Sequence, residues 1–555
     1  MQQDVKPSPI DRAQDHSSRQ TLLVFTDEMC DGWVSSLFAD IRASDKYVLV
    51  GIVAIKDPLS KAAMRTCRFV FSSLPRISTL GCARAADLAA QMGLSLAERV
   101  SGPESAVFFG GSPEMQGFDC RTPLADIGVW LSRQPAVGAW RSFLKQALVY
   151  FTFGREYSQD FRSVGRNGSL NAMRAIELSL LISTVGTGGA RLLDRAWCSR
   201  HATRVREDTK NLGFQARFIL QRRIGAGTLF AMTSRVEEVN CSAEAENGGR
   251  NDSFVAGPSL VRRLREKIRN PFYVRPWVLG VSEFSDSWWT GQHFRPLFPP
   301  TGYQWADPFV IQRGGRHFVF LEEIPPGSRR AHISVAPIQA GATHIEASRV
   351  LAQDTHLSYP FVFEHRGEIF MVPETKQRQR VELYRARHFP EEWEPVEVLL
   401  DKIRAADATL LEYDDCWWMF VAVGGEHTRC DCDLMIFYAD RLSGPWKPHP
   451  QNPVKSDSRS ARPAGRLRFA DGKLYRPAQD CSLSYGGALV MNEVLRLTRS
   501  EYRERICRCI EPSWFPGISR MHTINSAGGL TLTDGKARIT RLAQSLARFR
   551  PNASR

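Results

Sequence analysis

The sequence predicts two parts of different class, an α/β region over residues 21–235 and an all-β region over residues 271–545. Three observations carry this. Short apolar strands alternate with helically spaced segments early in the chain, which is the grammar of a sheet with crossover helices. A polar stretch rich in Gly, Ser and Asn then breaks the pattern. Beyond Pro271 aromatic and β-branched residues punctuated by glycine take over, and long helical patterns stop.

Taken in order, residues 1–20 are polar, lack an apolar core, and read as a disordered tail and not as a secretory signal. Thr21–Phe25 is a short apolar strand, Trp33–Ile41 has helical spacing, and Tyr47–Ala54 is a second β-rich run. This βαβ opening predicts parallel pairing. Ala106–Gly111 reads as a further buried strand, and Asn171–Thr184 and Thr209–Arg222 as helices. Residues 236–270 form a linker of polar coil that ends in the basic run Val261–Arg269. Residues 546–555 are a tail.

The all-β part contains a repeat. Pro308–Glu323, Pro360–Thr375, Ala408–Val423, Gly465–Asp480 and Thr523–Gly535 each consist of an apolar strand, a tight turn holding Gly or Asp, and a second apolar strand. The turn residues Gly315, Gly367, Asp415, Gly472 and Gly528 are about 52, 48, 57 and 56 residues apart, the spacing of propeller blades. A lone hairpin cannot bury its faces, so such units must stack. Five blades around a channel, a five-bladed β-propeller, satisfy that need. Trp277–Val281 is placed to pair with the last blade and close the ring.

Superposing the repeats puts Asp307, Tyr359, Asp407 and Ala464 at the head of the inner strands. Fifteen residues later, on the returning strands, come Glu322, Glu374, Ala422 and Gln479. An antiparallel hairpin brings its two ends together, so both sets should converge on one mouth. Converging carboxylates raise one another's pKa, which is how a general acid is prepared beside an ionised base. Arg462, Arg466, Arg476, Asp480 and His522 join from the last two blades, to neutralise the acids or to grip a phosphate. Trp305, Tyr359 and Tyr485 supply aromatic surface for a sugar. An Asp heading a strand can equally be a turn device.

Composition bounds the rest. The chain has 555 residues, 43% hydrophobic and 24% charged, with a formal charge of +14. The basic residues are dispersed and do not interleave with aromatics, so nucleic-acid binding is not expected. That charge is compatible with peripheral contact with an anionic membrane. No apolar run reaches the roughly 18 residues a membrane helix needs, and the chain reads as cytoplasmic. Twelve cysteines are then expected as free thiols. The one-residue spacing of Cys430/Cys432 and Cys507/Cys509 lacks the partners a zinc site wants, and neither metal nor cofactor is expected.

Several motifs resemble one family. Trp305-Ala306-Asp307-Pro308, His356-Leu357-Ser358-Tyr359-Pro360, Pro373-Glu374-Thr375, Asp407-Ala408-Thr409, Gly444-Pro445-Trp446, Arg462-Pro463-Ala464-Gly465 and Tyr475-Arg476-Pro477 are similar to the N-terminal domain of plant glucosamine inositolphosphorylceramide transferases, also found in bacterial proteins. That family in turn resembles the five-bladed furanosidase-type propellers of arabinanases, xylosidases and invertases. The resemblance implies an Asp base or nucleophile, an Asp that orients and tunes, and a Glu acid, with Asp307 in the first-blade position. It departs at Tyr359-Pro360, where the hydrolases show an acid. It also implies a carbohydrate or sugar-phosphate ligand in bacterial polysaccharide or glycolipid metabolism, with Glu374 as acid, Asp307 as base or nucleophile and Asp407 as tuner. Hydrolysis, transfer and non-catalytic glycan binding stay open. The α/β region, through its opening and Val149–Tyr157, resembles formyltransferase domains but lacks their His-Pro-Ser-Leu-Leu-Pro-like loop, implying a degenerate scaffold. Sugar-nucleotide formyl transfer is the third alternative.

Overall fold

A computed structural model describes residues 19–27, 29–55, 82–84, 95–96, 106–110, 125–131, 144–153, 175–185, 190–199, 205–225, 273–283, 294–425 and 429–540. Residues 1–18 of the expected N-terminal tail, the whole expected linker with its basic run, and the expected C-terminal tail lie outside the described residues. The chain forms two compact units.

The first unit is built on one eight-stranded sheet. Its centre is parallel: Gln20–Asp27 pairs with Tyr47–Ile55 and with Ala125–Trp130, which pairs with Leu144–Phe153. Both flanks turn antiparallel, through Ala106–Gly110 on one side and Ala175–Thr184 on the other. The helix Gly32–Arg42 buries Val34, Leu37, Phe38 and Ile41, one stripe at the helical period. A second helix, Val205–Gly225, covers the expected Thr209–Arg222 and is tied by Arg217 to Asp40 at 3.0 Å. The expected helix over Asn171–Thr184 is a correction: residues 175–184 are a strand. Ala175–Ile182 is buried at every position, so it shows no amphipathic face, and a short run buried on both sides cannot be told from a helix by periodicity. Val149–Tyr157 is strand as far as Phe153, and its remainder lies outside the described residues. An eight-stranded mixed sheet does not by itself single out a formyltransferase.

The second unit is the five-bladed propeller. Four of its sheets follow the chain: Gln304–Leu351, Ser358–Asp401, Ala405–Ser456 and Arg468–Ile510. The fifth joins Ile524–Ala527 and Leu530–Lys536 to Trp277–Ser282 and Arg295–Leu297 from the start of the unit. Trp277 faces Lys536 and Ser282 faces Thr531 in an antiparallel ladder, which closes the ring as the sequence suggested. Every inner hairpin turns on two residues of positive φ: Gly314-Gly315, Arg366-Gly367, Asp414-Asp415, Asp471-Gly472 and Gly528-Gly529. That is the turn whose twist matches twisted strands. Gly529, not Gly528, is therefore the equivalent of Gly315.

Candidate functional site

The heads of the first three inner strands share an irregularity that the repeat could not reveal. Pairing skips two residues at Ala306/Phe309, Ser358/Phe361 and Ala406/Thr409. Within each gap one residue is left-handed: Asp307 at φ 49°, Tyr359 at 46° and Asp407 at 57°. Non-glycine residues pay about 1–3 kcal/mol for such conformations, which persist only where surrounding contacts fix them. Here the bulge releases backbone N–H groups from the ladder, and carboxylates of the preceding blade accept them. Asp307 N donates to Asp534 Oδ2 at 3.0 Å, and Tyr359 N donates to Asp307 Oδ2 at 3.1 Å. The acids thus stitch blade to blade as well as facing the channel.

On the returning strands Glu322 lies opposite Ala306, and Glu374 opposite Ser358. They line a cavity of about 520 Å³ with His356, Lys376, Arg404, Arg429, Arg462, Tyr485, Trp277 and His522. Asp307 and Asp407 do not line it, being 3% and 2% exposed. They lie directly behind it. Asp307 Oδ1 is 3.4 Å from His522 Nδ1, and Asp407 Oδ2 accepts from Arg462 Nε at 2.6 Å.

The electrostatics divide the acids. Burial and the charges of Glu322, Asp407, Asp534 and Glu374 push Asp307 well above the carboxylate range. Burial would raise Glu374 too, but Lys376 at 2.7 Å and Arg462 at 3.5 Å outweigh it and bring Glu374 to about 2. Asp407 stands near 6: burial and Glu374 raise it against the pull of Arg462. His356 is raised despite burial, through its contact with Glu322 at 3.2 Å. One carboxyl holding a proton and one ionised within the same group is what acid–base chemistry requires.

Other sequence-derived residues have structural partners. Tyr359 is fully buried; its hydroxyl accepts from Gly465 N at 2.7 Å and lies 2.8 Å from Thr409 Oγ1, so it bridges blades two, three and four beneath the cavity. Gln479 Nε2 donates to Asp407 Oδ2 at 2.8 Å and to Pro463 O at 2.9 Å. Arg476 belongs to a buried ion pair with Glu504 at 2.7 Å and donates to the carbonyls of Ser460 and Ala461. Arg466 lies over the Phe361 ring and donates to Val362 O. Asp480 accepts from Ser482 N at 2.9 Å in a local turn. None of these five is among the residues that line the cavity. Trp305 is likewise core, donating to Glu323 Oε1 at 2.9 Å.

The sequence reading missed Trp277, His356, Lys376, Arg404 and Arg429. Trp277 stacks on His522 with ring centroids 4.2 Å apart. His356 opens one of the motifs that carry the resemblance and Lys376 directly follows another, both beside strand ends. Among the described residues, Asp307, His522 and Asp534 bring ligand-type atoms within 4.8 Å of one another. Asp534 Oδ2 already accepts from Asp307 N and from Thr523 Oγ1 at 2.6 Å and lies 2.5 Å from His522 Nδ1, so this carboxylate is engaged by protein groups on several sides.

Residues 299–511 match the family described as Glucosamine inositolphosphorylceramide transferase 1, N-terminal. The rice (Oryza sativa subsp. japonica) protein named Glucosamine inositolphosphorylceramide transferase 1 is 39% identical over 203 residues, which cover 36% of this chain and 27% of that protein. The Arabidopsis thaliana protein of the same name is 36% identical over 206 residues, covering 36% of this chain and 26% of its own length. The chain thus spans about a quarter of the length of the curated relatives it matches, and these are plant proteins. Solved structures similar to the propeller include the RS223 β-xylosidase, with a TM-score of 0.30 and 14% identity over 36% of this chain and 73% of that one. A Bombyx mori GH32 β-fructofuranosidase has a TM-score of 0.32 and 13% identity over 49% of this chain and 60% of its own. Among the described residues no helix is long and apolar enough to cross a membrane.

Proposed function

We propose that the propeller mouth binds a carbohydrate and cleaves or transfers a glycosyl unit. The observation that carries this is a 520 Å³ cavity that presents the carboxylate of Glu374, held by Lys376 and Arg462, together with Trp277 and Tyr485, with Asp307 directly behind the lining. The glucosamine transferases matched by residues 299–511 support a sugar as ligand. Glu374 lines the cavity and is ionised, so it acts as base or nucleophile. Asp307 holds the proton that a departing oxygen would take up, and Asp407 fixes Arg462 beside Glu374. This inverts the roles suggested by the sequence, because Lys376 and Arg462 favour the charged form of Glu374.

A second reading, a glycan-recognition module without turnover, is favoured by one observation. Asp307 and Asp407 sit behind the lining, where their hydrogen bonds also hold blades together. Turnover separates the two. The full chain is incubated with aryl glycosides and with glycosyl donor–acceptor pairs, and product is compared with Glu374→Gln and Asp307→Asn. Catalysis is expected to fall at least about 100-fold in each variant, the usual worth of a positioned acid or base. Saturable binding with no turnover by the wild type would establish the recognition module instead.

A further inference from the structure

His522 lines the cavity and is clamped on every side but one. Its backbone N donates to Asp534 Oδ1 at 2.8 Å. Its ring stacks on Trp277, with centroids 4.2 Å apart, and Tyr485 stands at 64° to it at 5.1 Å. Gly486, at φ 63°, runs alongside, where a Cβ would lie 3.0 Å from His522 Cβ and 3.3 Å from Cδ2. Nδ1 is shut away from solvent, 2.5 Å from Asp534 Oδ2 and 3.4 Å from Asp307 Oδ1. Burial would raise Asp534, but His522 outweighs it and holds this carboxyl below its ordinary value. Two bare acceptors at 2.5 Å would repel, so Nδ1 carries a proton. Nε2 is left over: among the described residues no group hydrogen-bonds it, and it is not shut away as Nδ1 is. Asp307 does not line the cavity, and His522 is the lining group that reaches it, at 3.4 Å.

We propose that His522 is the residue that exchanges protons with sugar oxygens at the mouth, through Nε2, with Asp534 as the positioning residue behind Nδ1. The proposal rests on the glycosyl-transferring reading above and names the atom that meets the departing oxygen. When the bond from the sugar carbon to that oxygen breaks, its electron pair leaves with the oxygen, and the Nε2 proton of the imidazolium passes to it. The sugar carbon is taken by the Glu374 carboxylate. The imidazole, neutral and still protonated at Nδ1, then takes at Nε2 the proton of a water or acceptor hydroxyl, whose oxygen displaces Glu374 from that carbon. Both residues return to their starting forms and nothing further is consumed. Imidazole suits both halves of such a cycle, ionised Asp534 steadies the imidazolium, and a ring already clamped loses little freedom on reaction.

Turnover of paired aryl glycosides by the full chain tests this, with glucose, galactose, xylose and glucosamine as the sugars, in both anomers. In each pair a phenyl glycoside, whose oxygen needs a proton to leave, is set beside a dinitrophenyl glycoside, whose oxygen leaves as a stable anion. His522→Gln should lower kcat/KM for the phenyl member by at least about 100-fold, the usual worth of a positioned acid, and for the dinitrophenyl member by less than about tenfold. His522→Ala should do the same. Added azide, a nucleophile with no proton to lose, should raise kcat of either variant on the dinitrophenyl member and leave the wild type unmoved. Melting by circular dichroism checks that each variant folds, and if one does not, the other decides. Equal falls in kcat/KM for both members, or no fall, overturn the proposal and leave the carbohydrate reading standing. No turnover of any glycoside by the wild type, with sugars still bound, overturns this proposal and the catalytic reading together and leaves the recognition module.

Discussion

Replacing Arg462 with methionine removes the cation around which two buried acids are arranged. Its Nε donates to Asp407 Oδ2 at 2.6 Å, its Nη2 donates to Asp407 Oδ1 at 3.2 Å, and Glu374 Oε2 is 3.5 Å away. All three side chains are buried. Removing one partner of such a pair strands a charge in a poor solvent and costs about 3–5 kcal/mol. For a unit of this size, where 1 kcal/mol moves Tm by about 2–4 °C, the propeller transition should fall by roughly 6–20 °C at pH 8. Without Arg462, Asp407 binds its proton more tightly still in the folded chain than in the unfolded one, while Lys376 at 2.7 Å continues to favour the charged form of Glu374. The folded state is then favoured below the ordinary carboxylate range and loses stability as pH rises, so the deficit should shrink markedly at pH 5. Melting followed by circular dichroism at both pH values reads this directly. Adding Asp407→Asn to the variant should recover part of the loss, since the two sites are coupled. A fall of less than about 3 °C at pH 8, or equal falls at both pH values, would refute this electrostatic reasoning.

The remaining expectations concern stability. Ionised Glu374 and Glu504, both near 2, contribute stability that is present above the ordinary glutamate value and lost as pH falls toward 2. Asp307 and Asp407, both raised, contribute stability that is present below the ordinary aspartate value and lost as pH rises, through about 6 for Asp407 and through the raised value of Asp307. Denaturant midpoints should therefore peak near the ordinary carboxylate values, at about pH 4, and decline as pH rises through about 6, and a midpoint still climbing at pH 8 would contradict this. Arg476→Met should cost about 3–5 kcal/mol by leaving Glu504 with Lys455 as its remaining cation, measurable as a lowered urea midpoint. Gly465→Ala should lower expression or Tm severely, because at φ 136° a Cβ would lie 2.1 Å from Ile524 O. Asp415→Gly, at the exposed second position of its turn with φ 52°, should raise stability by about 0.5–1 kcal/mol in the same urea assay.

The hairpins of the propeller were legible because their turns demand two residues of positive φ, and Gly, Asp and Arg-Gly pairs mark them at blade spacing. Closure through Trp277–Ser282 was legible because an unpaired strand remained and the last blade lacked a partner. Ala175–Thr184 was not legible, since burial on both faces erases the period that separates strand from helix. The site was half legible. Offsets in the repeat brought Glu322, Glu374, Asp307 and Asp407 to one end, but the two-residue bulges that turn Asp307 and Asp407 behind the lining leave no mark in composition. Arg462 and Arg476 are the same residue type fourteen positions apart, and only their partners, Asp407 for one and Glu504 for the other, separate a site residue from a structural one. Lys376 sits two residues after Glu374, yet its effect on that acid depends on a 2.7 Å contact that no spacing reports.

The most direct test of the central claim is thermal melting of the full chain against a panel of sugars, sugar phosphates and nucleotide sugars, with Glu374→Gln and Tyr485→Ala beside the wild type. A ligand that binds only the folded state raises Tm by mass action, by an amount set by its concentration over Kd. The expected result is a shift for one carbohydrate class that is lost or reduced in both variants. A panel without any shift, or a shift that both variants preserve in full, would contradict the claim that this mouth is the carbohydrate site.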